Sequence, residues 1–208
     1  MYIATPLFTE FVNAKEILWL GIDFTLAKFT RKGFEVSQEQ LRTYFNEWNQ
    51  LIISDQKKYD IRMSFRKPIM TYDLSLVTKA NKGIRIGNIL CENISIGAVR
   101  TDEQVCEYVR GLNTPQTHRF GLIFIVESFD THSKTGAVWI VLFDTGTHEP
   151  VLCEKFLKIP GGFGAKSYWG RIFYNLLYDI RSYAFYRWES LIKPMEEKTP
   201  AEAAKDNF

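Results

Sequence analysis

Pro160-Gly-Gly-Phe-Gly-Ala-Lys-Ser167 is the stretch whose residue types could most directly do chemistry. Glycines ahead of a helix let backbone N–H groups approach an anion, and the helix dipole adds positive potential there. On that reading Gly161, Gly162, Gly164, Lys166 and Ser167 form a weak ligand-binding site for a phosphate, a carboxylate or another small ligand. Lys166 supplies the charge and Ser167 caps the helix. Against it, Ala165 stands where the spacing G-x-x-x-x-G-K-[ST] needs its second glycine, and the preceding strand belongs to a hairpin rather than a βαβ unit. The same residues also make a tight strand-to-helix corner.

Three other patterns were weighed. Leu142-Phe-Asp-Thr-Gly-Thr147 has the form of an aspartic-protease motif, but that chemistry needs two aspartates sharing a proton. One motif would require Asp144 to meet a symmetry mate, and Val151 pairs back too soon for such a loop, so a hairpin turn is preferred. Leu20-Gly-Ile-Asp-Phe-Thr25 is similar to the first phosphate loop of the actin and sugar-kinase superfamily, with Thr25 in place of a required glycine. Asp23 then reads as a strand-end or capping residue. His118, His132 and His148 flank strands without H-x-x-x-H or H-E-x-x-H spacing, which disfavours a metal site. No G-x-S-x-G elbow is present. No catalytic residue, metal ligand or cofactor is assigned.

The elements that would position these residues are clearest between 119 and 193. Phe120 to Phe129, Ala137 to Phe143 and Val151 to Leu157 read as three β-strands joined by short polar turns. Short connections force antiparallel neighbours, because parallel strands need a crossover of a dozen or more residues. The middle strand is apolar at odd and even positions, so both of its faces must be covered. After the corner, Trp169, Ile172, Phe173, Leu176, Leu177 and Ile180 fall at helical spacing. Tyr183, Phe185, Tyr186, Trp188, Leu191 and Ile192 continue the helix until Pro194. More aromatic surface is present than one sheet face absorbs. Phe185, Trp188, Leu191 and Ile192 are therefore expected to cover the open side of the domain or to form a partner surface, either for a homo-oligomer or for another protein.

Upstream, Glu16 to Phe29 predicts a strand or strand pair beside a meander strand. Ser37-x-x-Gln40 and Thr101-x-x-Gln104 have the capping-box pattern, and predict helices over about 38–54 and from 102 to near Gly111. Pro68 bars a continuous helix through 55–70. A short helix is expected over 73–81 and a strand within 84–96. The expectation is an α+β fold: a mixed sheet with a three-stranded antiparallel meander (about 120–157) covered by helices. It forms one domain over 1–194, followed by a flexible polar tail over 195–208.

Composition bounds the function classes. The 208 residues include 46% hydrophobic, 15% aromatic and 24% charged side chains, with a net charge of +2. That is globular usage with ample length for a core. The charge is too small, and too evenly spread, for nucleic-acid or membrane-surface binding. No apolar run is long enough for a membrane span. Cys91, Cys106 and Cys153 lack metal-ligand spacing, and a disulfide would need the fold to juxtapose two of them. The amino terminus lacks the features of a signal peptide. The expected location is cytoplasmic if Met1 is the natural start and periplasmic if a signal peptide was removed.

Phe143-Asp-Thr-Gly-Thr147, Gly161-Gly-Phe-Gly164 and Tyr168-Trp169 together resemble uncharacterised α/β proteins of the Bacteroidetes, often exported. The element order is distantly similar to the small α/β domains of envelope accessory lipoproteins. Neither resemblance transfers a catalytic residue. The residues thus favour a non-enzymatic binding or assembly domain. The alternative is an anion- or small-ligand-binding protein or an enzyme using the glycine-rich corner.

Overall fold

The structure, a computed structural model, describes residues 1–32, 36–94 and 99–192. The tail expected over 195–208 lies outside these. Strands β1 (Tyr2–Ile3), β2 (Glu16–Asp23), β3 (Lys28–Thr30), β4 (Ile69–Tyr72), β5 (Leu90–Cys91), β6 (Phe120–Asp130), β7 (Thr135–Asp144) and β8 (Pro150–Lys158) form one mixed sheet. Its main path runs β1-β8-β7-β6-β2-β4. β6, β7 and β8 are consecutive antiparallel neighbours, and β1 adds antiparallel to β8. β2 lies parallel to both β4 and β6, while β3 pairs parallel with the far end of β6 and with β5. This is the α+β arrangement with a mixed sheet that the run of strands and helices called for.

Helices cover both faces, as the uninterrupted apolar strands require. The period of two sends Ile17, Trp19, Phe124, Val126, Ile140 and Leu142 to one face. There they meet α1 (Thr5–Asn13), α2 (Gln38–Ser54), α3 (Ile61–Ser64), α7 (Ala165–Asp179) and α8 (Phe185–Ile192). Leu18, Leu20, Ile123, Ile125, Val141, Phe143 and Cys153 point the other way, under α4 (Ser75–Lys82) and α6 (Asp102–Arg110). Both capping boxes form, Ser37 with Gln40 and Thr101 with Gln104. No helix among the described residues is long and apolar enough to cross a membrane.

Two stretches carry more than the sequence suggested. The strand expected within 84–96 is present as the short β5, but a turn of helix, α5 (Ile86–Ile89), precedes it, with Ile86 and Ile89 both drawn into the core. The long terminal helix is broken by a π-helical turn over Ile180–Ala184, which separates α7 from α8. A π-turn holds one residue more than an α-turn, so it rotates everything after it. That rotation carries Phe185 and Trp188 onto the sheet, with exposures of 1% and 0%. Of the two roles expected for them, cover of the domain or a partner surface, Phe185 and Trp188 take the first and the second is corrected: they are core. Trp188 lies edge-on to Phe8 and Phe156 and stacks with Phe65. Leu191 is 48% exposed and Ile192 half-buried.

Candidate functional site

The glycine-rich corner closes on itself. Gly162 and Gly164 take positive φ, at 113° and 75°, and Gly164 rather than Ser167 is the N-cap of α7. Ser167 lies inside the helix, so its expected capping role is not realised. The Gly161 N–H donates to the Tyr168 carbonyl at 2.9 Å, and the Lys166 ammonium pairs with Glu47 at 3.1 Å. The Lys166 carbonyl accepts from Trp48 Nε1 at 2.9 Å. These bonds fasten α7 to α2. Of the groups that were to meet an anion, the Gly161 N–H and the Lys166 ammonium are held by protein partners. Phe163 projects from the corner, 98% exposed.

The other sequence motifs also resolve into local structure. Asp144 Oδ1 accepts from the N–H groups of Gly146 and Thr147 at 2.9 and 3.0 Å, so Asp-Thr-Gly is the turn between β7 and β8. Burial works against ionisation there, but those N–H groups and Arg119 hold the carboxyl below its usual range. Asp23 is buried on the α6 side of β2. It accepts from the Tyr108 hydroxyl and, at 2.7 Å, from the Thr25 N–H. Burial and the Asp23 charge push the Tyr108 phenol well above its ordinary value. Asn49 and Asn81 grip the β2 backbone at Ile22 and Phe24 with bonds of 2.6 to 3.0 Å. A cavity of about 600 Å³ opens beside Thr25, lined also by Lys79, Arg85 and Asn88.

The outer edge of β8 has unused bonding capacity. β1 covers only its first half, where Tyr2 lies opposite Cys153 and the Ala4 N–H donates to the Val151 carbonyl at 2.9 Å. Residues two apart on a strand send their N–H and C=O groups the same way, so Lys155 and Leu157 also face outward. Farther along, the Ile159 carbonyl accepts from Asn175 Nδ2 at 2.9 Å. Between these two fastenings, no hydrogen bond among the described residues takes up the outward groups of Lys155 and Leu157.

A groove of about 420 Å³ runs along this edge, with Glu154, Phe156 and Leu157 on the strand side and Asp179, Tyr183 and Arg187 on the helix side. Its walls are set by two ion pairs. Glu154 accepts from Trp188 Nε1 at 2.5 Å and pairs with Arg187, and Lys158 pairs with Asp179 at 2.5 Å. Leu157 is 64% exposed, and Ile159 and Tyr183 stand exposed near it. Nothing in the local sequence announced this edge, because edge or interior position is a property of the whole sheet.

No family model matches the chain, and no curated protein matches it by sequence. Among solved structures it is similar to the LpoB C-terminal domain from Salmonella enterica, at 13% identity and a TM-score of 0.27, covering 74% of this chain and 94% of that one. It is similar to the hypothetical protein CT253 from Chlamydia trachomatis, at 10% identity and a TM-score of 0.38, covering 86% and 98%. It is similar also to the lipoprotein GNA1162 from Neisseria meningitidis, at 11% identity and a TM-score of 0.32, covering 82% and 99%. One of the three is a lipoprotein by its printed name, the class that the element order resembled; none of the three comes from the Bacteroidetes. These likenesses set no residue of this chain beside a residue of known role.

Proposed function

We propose that this chain is a non-enzymatic assembly domain that joins a second copy of itself, edge to edge, along β8. The observation that carries the reading is the pair of outward-facing backbone positions, Lys155 and Leu157, left open between the β1 and Asn175 fastenings. An open edge is a template for strand addition. A two-fold axis at Phe156 would set Lys155 against Leu157 of the second copy, and the reverse, so that each outward N–H meets an outward C=O. The same register places Glu154 opposite Lys158 of the second copy on the helix-covered face, twice over. Opposite charges at facing positions favour this register over its neighbours. The exposed Tyr183, in the turn before α8, flanks the same edge.

Light scattering after size exclusion, across a concentration series, tests the reading. The expected result is a mass that climbs from 24.2 kDa toward twice that value. Leu157→Pro removes an outward N–H while sparing the ladder to β7, so it should stay monomeric with a melting temperature close to the parent. Lys158→Glu should weaken association by setting like charges opposite one another. A wild-type chain that stays at monomer mass at every concentration, or a Leu157→Pro chain that dimerises equally well, would overturn the proposal.

A further inference from the structure

Cys106 and Cys153 lie far apart in the sequence, yet α6 packs on β8 so that both thiols fall in one buried cluster, with Cys153 Sγ directed at the carbonyl of Asp102, one helical turn before Cys106. Both are buried, and Cys153 Sγ lies 3.9 Å from that carbonyl. Their situations differ. Cys153 is closed off within the sheet at 0% exposure, whereas Cys106 borders a small cavity of about 120 Å³ lined by Tyr2, Asp102, Glu103 and Arg110. The neighbouring Cys153 thiol, helped by the Arg110 guanidinium, pulls the Cys106 thiol down, with burial, Asp102 and Glu103 opposing it. The neighbouring Cys106 and burial push the Cys153 thiol up. Cys91, the remaining cysteine, lies beside β3 with its Sγ directed to the Phe29 carbonyl at 3.5 Å.

We infer that Cys106 and Cys153 are a peroxide-oxidisable dithiol, with Cys106 as the attacking sulfur and Cys153 as the resolving one. The cavity of about 120 Å³ is large enough for hydrogen peroxide. The Cys106 thiolate attacks one peroxide oxygen, the O–O bond breaks, and hydroxide leaves and takes up the proton released by the thiol as water. Cys106 is then a sulfenic acid. The Cys153 sulfur displaces the hydroxyl from it, a second water leaves, and the S–S bond forms. Two thiols and one peroxide thus give one disulfide and two waters. The product staples α6 to β8 next to the residues that hold β1, where the Met1 amino group pairs with Asp102 at 3.2 Å. A cross-link between segments so distant in sequence restricts the unfolded chain and raises the melting temperature. This inference stands apart from the β8-edge reading, and each can fail alone.

The test treats the folded, reduced chain with graded hydrogen peroxide, then counts free thiols after denaturation and maps peptides without reduction. The expected course is a fall from three titratable thiols to one, a Cys106–Cys153 cross-linked peptide, and a higher melting temperature that reductant reverses. Cys153→Ser should accumulate a sulfenic acid at Cys106 that dimedone traps, while Cys91→Ser should behave as the parent. A count that stays at three until the chain unfolds, or a cross-link that involves Cys91, would overturn the inference. Both of these are read on the wild-type chain, so a variant that fails to fold does not blunt the test.

Discussion

Lys67 brings its ammonium group into the interior at the end of α1, where it donates to the carbonyls of Phe11, Val12 and Ala14 and lies 3.9 Å from the Phe11 ring centroid. The last carbonyls of a helix have no partner of their own, and here a buried cation serves them in place of a glycine cap. Burial pulls the Lys67 pKa down to about 8 from 10.5, with Glu189 pulling weakly the other way. Between those values the unfolded chain holds a proton that the folded chain has released, so this site makes stability rise with pH across the window and lowers it below pH 8. Urea unfolding of wild type and Lys67→Met at pH 7, 8, 9 and 10 should show the difference in unfolding free energy shifting in favour of wild type with pH, by at most about 3 kcal/mol. Parallel pH curves would remove this account. None of this was legible beforehand. Lys67 sits in a stretch without periodicity, and its partners come from an element more than fifty positions earlier. Gly21 was equally silent in the sequence, yet its φ of 107° and the Val77, Asn49 and Leu74 atoms that a Cβ would strike, at 2.5 to 2.9 Å, leave room only for glycine.

At the scale of elements, legibility followed how local the determinant is. The two capping boxes each need four consecutive residues, and both helices start where those residues said they would. The meander strands announced themselves by apolar faces on both sides and by short polar turns, and they pair as neighbours over nearly their full lengths. The π-turn defeated the same method, because a 3.6-residue stripe drawn through Ile180–Ala184 keeps the wrong phase afterward. In the actual phase the tyrosines Tyr183 and Tyr186 take the solvent side and Phe185 and Trp188 take the core. Trp188→Ala should therefore behave as a core deletion rather than an interface change. It removes a ring packed against Phe8, Phe65 and Phe156 and leaves the buried Glu154 short of a donor. Urea denaturation should show a loss of about 3–5 kcal/mol. A loss below about 1 kcal/mol would show that the ring is not held as described.

Over the whole molecule, the sheet is a shared wall between two unequal helical layers. In that wall β2, β6 and β7 have neighbours on both sides, whereas β8 is covered for two residues by β1 and then stands open. Edge strands of soluble proteins commonly carry lysine, which discourages indiscriminate pairing. Here Lys155 pairs with the buried Glu127, and Lys158 with Asp179, so both charges are held to the parent fold. Backbone amide exchange resolved by residue reads this edge directly. Glu154, Phe156 and Lys158 face β7 and should exchange slowly, while Lys155 and Leu157 face outward and should exchange quickly in dilute solution, an alternation within five consecutive residues. At concentrations where the mass doubles, Lys155 and Leu157 should become as protected as their neighbours, and Leu157→Pro should keep Lys155 fast throughout. Slow exchange at both positions in dilute solution would mean that the chain itself occupies this edge, and the assembly reading would fall with it.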